Sequence, residues 1–413
     1  MITRKLISLH LGQNYPDFLD LPWKMPLSQW KGECDRIVQV ERGLSRHEVV
    51  FVCYDEKIYA IKELPSNLAE HEYSMLKKLV ENDLPSVIPV GHIKLIQGEQ
   101  NEKISIIITE YLESSLPYRT LFIKPGLVRY QEKLINSMAV LLVQLHLAGF
   151  FWGDCSLSNT LFRRDAVELQ AYFVDAETTK YYRPLSDGKR SYDLDIMEEN
   201  ITGDLADLAV ITDLPSSLNI YETAQKIHQQ YKTLWKEITQ EELLETHERY
   251  KIHERINRLH NLGFSVDEIQ LIPTENGNQL KMRTIVTEKN YHRHILHSLT
   301  GILAEENQAR LILNDIHELK AHLSEEKQKF VPLSSAAFYW TKNSYFPTLN
   351  LLGIEESTTE APQIYCQILE HKWFLSEKAK KDIGLKVAVK DYLKIIEENQ
   401  NAWKSRKERL LLD

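Results

Sequence analysis

The sequence predicts an α+β chain: a small β-rich lobe, a helical lobe, and a mainly α-helical C-terminal domain that carries a β-hairpin. Three observations predict it. Runs rich in β-branched and aromatic residues cluster between Arg36 and Leu112. Helical periodicity takes over from about Gly126. From Ser217 onward the pattern is strongly helical, broken by one hairpin-like stretch. On these grounds the chain divides into an N-terminal arm (1–35), a β-rich lobe (36–112), a helical lobe (113–245) and a C-terminal domain (246–413).

Taken in order, residues 1–35 hold Pro16, Pro22 and Pro26 among Tyr15, Phe18, Trp23 and Trp30. Proline at that density breaks regular elements, so an extended arm docked by its aromatics is expected. RIVQVERG, HEVVFVCYD, KIYAIKEL and SIIITEYL are the expected strands of the β-rich lobe, with DEK turning between the second and third and QGEQNEK forming a polar loop. Ser66 to Val80 interrupts them with a helical pattern. Leu68, Met75, Leu76 and Leu79 make its apolar stripe, and Ser66 or Asn67 can cap its start. A second helix is predicted from about Gly126 to Ala148, with Gly149 as its left-handed stop.

KIHQQYKTLWKEI and HERYKIHERINRLH carry helical spacing between Ser217 and Leu262, ended by Gly263. FSVDEIQLIP, TENGNQ and LKMRTIVT read as a hairpin with an Asn-Gly turn. Helices resume with HRHILHSLTGILAEENQARLILNDIHELKAHL and continue, with interruptions, to the end.

The 413 residues are 43% hydrophobic and 26% charged, enough to bury the cores of two or three domains, which excludes a disordered or fibrous protein. A net charge of −9 argues against a nucleic-acid partner. The cysteines Cys34, Cys53, Cys155 and Cys366 form no CxxC pair, so neither a disulfide framework nor a structural zinc is expected, and a cytoplasmic location fits. The N-terminus is too weakly apolar for a signal peptide. The most apolar stretch, Met138 to Trp152, falls short of the ~20 residues of a transmembrane helix.

The chemistry lies in residues that follow one another in a fixed order. Lys62 falls on a predicted strand in AIK, Asp154 and Asn159 on a loop in WGDCSLSN, and Asp175 at the end of AYFVD. Phosphoryl transfer needs a cation on the nucleotide phosphates, hard oxygen ligands for Mg²⁺, and a carboxylate beside the attacking hydroxyl. This set supplies all of those parts. Leu145-His146-x-x-Gly149-x-x-x-x-Asp154-x-x-x-x-Asn159 resembles the helix and catalytic loop of the protein-kinase-like superfamily, and Glu72-x-x-x-Leu76-x-x-Leu79 resembles its glutamate-bearing helix. Glu110 to Glu113 is similar to its hinge. More closely, GLSRHEV, WGDCSLSNTLFRRD, VDAET and LTGILAEENQARLILNDI resemble signatures of bacterial lipopolysaccharide-kinase-like proteins with a C-terminal domain of unknown function.

The resemblance runs from Arg36 over nearly the whole chain. It implies a two-lobed protein-kinase-like fold followed by the helical domain, and an enzyme using ATP and Mg²⁺. Lys62 would hold the α/β phosphates, oriented by an ion pair with Glu72, for which Glu70 is a rival. Asp154 would orient or accept the proton of the acceptor hydroxyl. Asn159 and Asp175 would ligate Mg²⁺, with Glu177 as a further candidate. The Gly43-Leu44-Ser45-Arg46 turn would cover the phosphates, with Gly43, Ser45 and Arg46 contributing, and Glu110 and Leu112 would border the nucleotide.

Several residues depart from the protein-kinase pattern. The phosphate loop has a lone glycine, Gly43; Trp152-Gly153-Asp154 stands for His-Arg-Asp; Ser156 stands for the loop lysine; and Asp175-Ala176-Glu177 stands for Asp-Phe-Gly. No Ala-Pro-Glu anchor follows, so a small-molecule, lipid or sugar hydroxyl is favoured over a peptide as acceptor. The alternatives are a nucleotide-binding regulator whose helical domain recruits a protein partner, and an AMP transferase. Elsewhere, His292, His294 and His297 read as structural or surface residues, with no carboxylate in register. Glu306, Asn307, Gln308 and Arg310 suit either a buried polar network or a pocket. Trp340, Tyr345 and Trp373 are expected in the C-terminal core, KSRKER on a solvated helix face, and Cys155 as an inert thiol.

Overall fold

The computed structural model describes residues 4–40, 47–65, 68–98, 101–123, 130–212, 214, 219–240, 242–245, 268–273, 279–285, 291–355 and 357–395. Two compact units divide the chain: Met1–Arg163 with Leu169–Thr287, and Arg164–Glu168 with Glu288–Asp413. The boundary expected near residue 245 falls inside the first unit.

Alternating apolar side chains build the first unit's main sheet. Its five antiparallel strands lie in the order β1 (Arg4–Leu11), β4 (Pro89–Gln97), β5 (Glu102–Glu110), β3 (Lys57–Pro65) and β2 (Val49–Tyr54). The arm expected over residues 1–35 is therefore in part a strand, registered from Arg4↔Gln97 to Leu11↔Gly91. As an edge strand it is mostly exposed; Ile7, Leu9 and Leu11 alternate with Ser8 and His10, and Leu9 and Leu11 pack half-buried against the core beneath the sheet. Its anchor is Arg4, whose buried guanidinium donates to Glu63 of β3 at 2.7 and 2.6 Å and to Gln97 at 2.6 Å. The aromatics dock as expected: Phe18 is buried against Tyr54 and Tyr59 of the sheet, and Trp23 and Trp30 are buried edge to face on each other in the same core. RIVQVERG forms no regular strand among its described residues; Ile37 makes a single bridge to Val52. Helix α1 (Leu68–Glu81) buries Ala69, Met75, Leu76 and Leu79 on the i, i+3, i+4 stripe that its sequence lays out.

The helical lobe packs α5 (Ile220–Thr239) against both α3 (Gln131–Leu147) and α4 (Asp187–Ile211), with Met138, Leu142, Met197, Ile201, Ile227 and Leu234 in the shared core. A short α2 (Tyr118–Ile123) precedes them, and α3 ends at Gly149 as expected. Gly149 has φ +92°, and a Cβ there would lie 2.0 Å from the Tyr182 carbonyl oxygen, so both conformation and space demand glycine. Between α3 and α4 run β7 (Phe150–Phe151), a loop, the hairpin β8 (Thr160–Asp165) and β9 (Glu168–Phe173), and β10 (Lys180–Tyr181), with β6 (Ser115–Pro117) pairing β8.

Beyond α5, residues expected to be helical instead form β11 (Glu242–Glu245), which pairs with β13 (Gln279–Ile285); β12 (Glu268–Pro273) pairs on its other side. Long-range strand pairing overrides the local helical propensity of Glu242-Leu-Leu-Glu245. The hairpin is as expected, while its Asn-Gly turn, the HERYKIHERINRLH segment and KSRKER lie outside the described residues. Among the described residues no helix is long and apolar enough to cross a membrane.

The second unit comprises α6 (Tyr291–Thr300), α7 (Glu306–Glu326), α8 (Leu333–Trp340), α9 (Phe346–Leu352), α10 (Ala361–Ala379) and a last helix, 385–395. Ile312, Ile316, Ala337, Trp340, Tyr345 and Tyr365 fill its core. Trp373, expected there, is 64% exposed, on a face of α10 that the core does not use. The unit also takes in Arg164–Glu168, the tip of the β8–β9 hairpin. The buried Asp165 carboxylate accepts the backbone N–H groups of Asn307 (3.1 Å) and Gln308 (2.8 Å) and the Asn307 side-chain amide (2.9 Å), capping α7. Gln308 donates to the Arg164 carbonyl, and Gln363 pairs with both backbone groups of Ala166.

Much of the Glu306–Arg310 segment is thus a buried polar network, though built by amides; Arg310 makes no ion pair among the described residues. Glu306 instead accepts from His292, whose Nδ1 lies 2.7 Å away. The carboxylate absent from the histidine-bearing helix comes from the next one. His294 and His297 are exposed.

Candidate active site

Lys62 lies in the middle of β3, on the face opposite the buried Ile61. Its Nζ donates to Asp175 Oδ2 at 2.6 Å and to both oxygens of Glu72 at 3.3 Å. Helix phase resolves the choice between Glu70 and Glu72. Glu72 shares the buried stripe of α1 with Met75, Leu76 and Leu79, whereas Glu70 faces solvent and pairs with Lys94. Burial, and next to it the charge of Asp175, push the Glu72 carboxyl up to about 8. Burial opposes the lysine's charge, but Glu72 and Asp175 together outweigh it and hold Lys62 above the usual lysine range. The cluster therefore keeps its cation firmly and carries an excess of acidic groups.

The loop between β7 and β8 brings Asp154 and Asn159 together. Asn159 Nδ2 donates to the Asp154 carbonyl at 3.1 Å and to its Oδ2 at 3.0 Å. Its amide nitrogen being spent on Asp154, its carbonyl oxygen is the group left for a ligand. Ser156 closes the turn by accepting the Asn159 backbone N–H at 3.1 Å and meeting Ser158 Oγ at 3.1 Å. Gly153, with φ +81°, lets the chain turn beneath Thr178. Cys155 is fully buried; burial, then the carboxylates of Asp193, Asp154 and Asp204, push its thiol well up, as suits an inert residue.

Asp175 ends the short connection after β9, and its Oδ1 accepts the Glu177 backbone N–H at 3.1 Å. Glu177, a candidate metal ligand, is engaged by His47 Nε2 at 3.1 Å. Glu110 closes β5 with its carboxylate accepting from Tyr15 O–H at 2.9 Å, and Leu112 packs half-buried on the lobe core. Gly43, Ser45 and Arg46 lie outside the described residues. The side chains of Lys62, Glu72 and Asp175 thus meet at one point, and those of Asp154 and Asn159 at another.

Sequence reading missed the α4 residues that hold the loop. The fully buried Asp193 of α4 accepts the Trp152 N–H (2.6 Å), the Gly153 N–H (2.8 Å) and His146 Nε2 (3.1 Å). Burial keeps His146 below the usual histidine range, so the ring is neutral, and its Nδ1 accepts from Tyr231 O–H at 2.7 Å. Arg190 donates to the Tyr231 oxygen at 3.3 Å and stacks 3.8 Å above the Trp235 ring. Asn200 donates to Asp154 Oδ1 at 2.8 Å, and Asp204 accepts the Ser158 N–H at 2.9 Å. A signal for the α4 residues does exist: Asp193, Asn200 and Asp204 each precede a buried residue of one apolar stripe, Leu194, Ile201 and Leu205.

Comparison with known proteins bears on this geometry. Residues 55–214 match the model of the Lipopolysaccharide kinase (Kdo/WaaP) family. Residues 233–396 match a Domain of unknown function, DUF4032. No curated protein matches the chain. A solved structure, "WaaP in complex with acyl carrier protein", is similar at 14% identity and a TM-score of 0.36, over 62% of this chain and 99% of that one. The family match and the architecture agree on a kinase-like α+β fold and support a kinase-like phosphotransferase.

Proposed function

We propose that this chain, which joins a lipopolysaccharide-kinase-family region to a DUF4032 domain, is an ATP- and Mg²⁺-dependent phosphotransferase acting on a hydroxyl of a small molecule, lipid or sugar. One observation carries the reading: Lys62, Glu72 and Asp175, from a strand, a helix and a strand end separated by up to 113 residues, converge on a single ammonium group. Burying Glu72 beside a second, half-buried acidic group, Asp175, on one cation is costly unless the arrangement serves a ligand. Lys62 binds the α/β phosphates while Glu72 holds it in place. Asp154 orients the acceptor hydroxyl and takes its proton.

The donor set fits Mg²⁺. It consists of hard oxygens: the Asp175 carboxylate and the Asn159 carbonyl would hold the cation beside the nucleotide phosphates. When bound, such a cation neutralises charge on the transferring phosphate. Glu177 joins that set only by leaving His47.

Product analysis tests the reading. Incubation with MgATP and a panel of sugar and glycolipid hydroxyl acceptors should yield ADP and a phosphorylated acceptor. Asp154→Ala should lower turnover by about 10³-fold or more while nucleotide still binds. Pyrophosphate in place of ADP would mean AMP transfer. Nucleotide binding with no product of either kind would mean a regulator, and undiminished turnover in Asp154→Ala would remove that residue from the mechanism.

A further inference from the structure

We propose that Asn200 is a positioning residue that sets the orientation of the Asp154 carboxylate. The proposal rests on the phosphotransferase reading of the site. Each Asp154 oxygen has its own amide donor: Asn159 on Oδ2 at 3.0 Å, from within the loop, and Asn200 on Oδ1 at 2.8 Å, from a helix 46 residues away. A half-buried carboxylate held at one oxygen can still turn about its own bond. Held at both, it presents its remaining lone pairs in one fixed direction.

The helix that carries Asn200 is already committed to this loop. Asp193, seven residues before Asn200, fixes the N–H groups of Trp152 and Gly153; Asp204, four residues after, fixes that of Ser158. Seven and eleven residues are whole turns of an α-helix to within a small angle, so the three side chains share one face. Its neighbours Met197, Ile201 and Leu205 are buried in the lobe core, which makes the face rigid. The residue type matters as well. A carboxylate at 200 would repel Asp154, and a lysine would neutralise it. A neutral amide fixes the carboxylate without taking its charge.

A double-mutant cycle tests this, with water as the acceptor and MgATP as donor. ADP release and the denaturation midpoint are measured for the wild type, Asn200→Ala, the isosteric Asn200→Asp, Asp154→Ala, and Asn200→Ala in the Asp154→Ala background. Asn200→Ala should lower kcat by about 10- to 100-fold with KM for ATP nearly unchanged, and should have no further effect once Asp154 is gone. Asn200→Asp should fall at least as far, because like charge replaces a donor. The same kcat loss in both backgrounds, or no loss in either, would overturn the proposal.

A wild type that releases neither ADP nor pyrophosphate, with water or with the sugar and glycolipid acceptor panel, would instead sink the phosphotransferase reading, and the catalytic half of the proposal with it. The denaturation midpoints then decide the pairing: additive shifts for the two sites would refute it, and non-additive shifts would uphold it.

Discussion

Asp193→Ala is the perturbation whose cost the structure lets us work out. The carboxylate is fully buried and accepts three N–H groups, from Trp152, Gly153 and His146. A buried donor left without a partner costs about 1–3 kcal/mol, so three cost about 3–9 kcal/mol. Two effects pull toward the lower end. A water can enter the space the carboxylate leaves, and removing a buried charge relieves its own desolvation. We expect a loss of about 3–5 kcal/mol, which is a large share of a typical domain's stability. At about 2–4 °C per kcal/mol for a domain of this size, the thermal midpoint should fall by on the order of 10 °C. Asp193→Asn, which keeps one acceptor oxygen, should lie between. The assay is thermal unfolding of the full chain, followed by ATP turnover at a temperature where both proteins are folded. A midpoint shift under about 2 °C would refute the claim that this carboxylate organises the loop.

Three further outcomes follow from the same kind of reasoning. Arg4→Ala should cost about 2–4 kcal/mol in urea denaturation, because it leaves Glu63 largely buried without its bidentate partner; a cost near zero would return residues 4–11 to the status of a loose arm. Burial, and after it the charge of Glu305, push Asp165 up to about 7, so the folded chain holds a proton that the unfolded chain releases. This group's contribution is therefore fully present below pH 4 and is lost as pH rises through 7. The denaturation midpoint of the wild type relative to Asp165→Asn should drop across that window, and a rise would contradict the assignment. Cys155 and Cys366 are buried with thiols pushed well up, while Cys34 and Cys53 are partly exposed. Maleimide labelling of the native protein should mark the latter pair and spare the former, and native labelling of Cys155 would show that the loop opens.

What the sequence could reveal was set by how local each signal is. Lys62 and Glu72 were readable because a strand alternates and a helix repeats, so each residue's face follows from its immediate neighbours. The two faces turn out to meet at 3.3 Å. Glu72 over Glu70 was only weakly indicated, since both are acidic, and burial decided it. Strand β1 escaped because its alternation, Ile7, Leu9 and Leu11 against Ser8 and His10, spans five residues and leads into a proline-rich arm that reads as extended coil. Strand β11 escaped because its pairing partner lies some 35 residues further along the chain. Helix α4 escaped for a different reason. The polar residues that serve the loop, Asp193, Asn200 and Asp204, sit beside its apolar stripe and blur its amphipathic pattern. The role of the EENQ segment was out of reach for the same reason as β11: its partners Arg164 and Asp165 lie some 140 residues earlier.

The most direct test of the central claim is a thermal-unfolding titration with ATP, with and without Mg²⁺, on the wild type and on Asp175→Ala. A nucleotide at about 100 times its Kd should add roughly 2.7 kcal/mol, a shift of several degrees. The account predicts a shift in the wild type that requires Mg²⁺ and that Asp175→Ala abolishes. A shift that ignores Mg²⁺ and survives in Asp175→Ala, or no shift with any nucleotide, would contradict it.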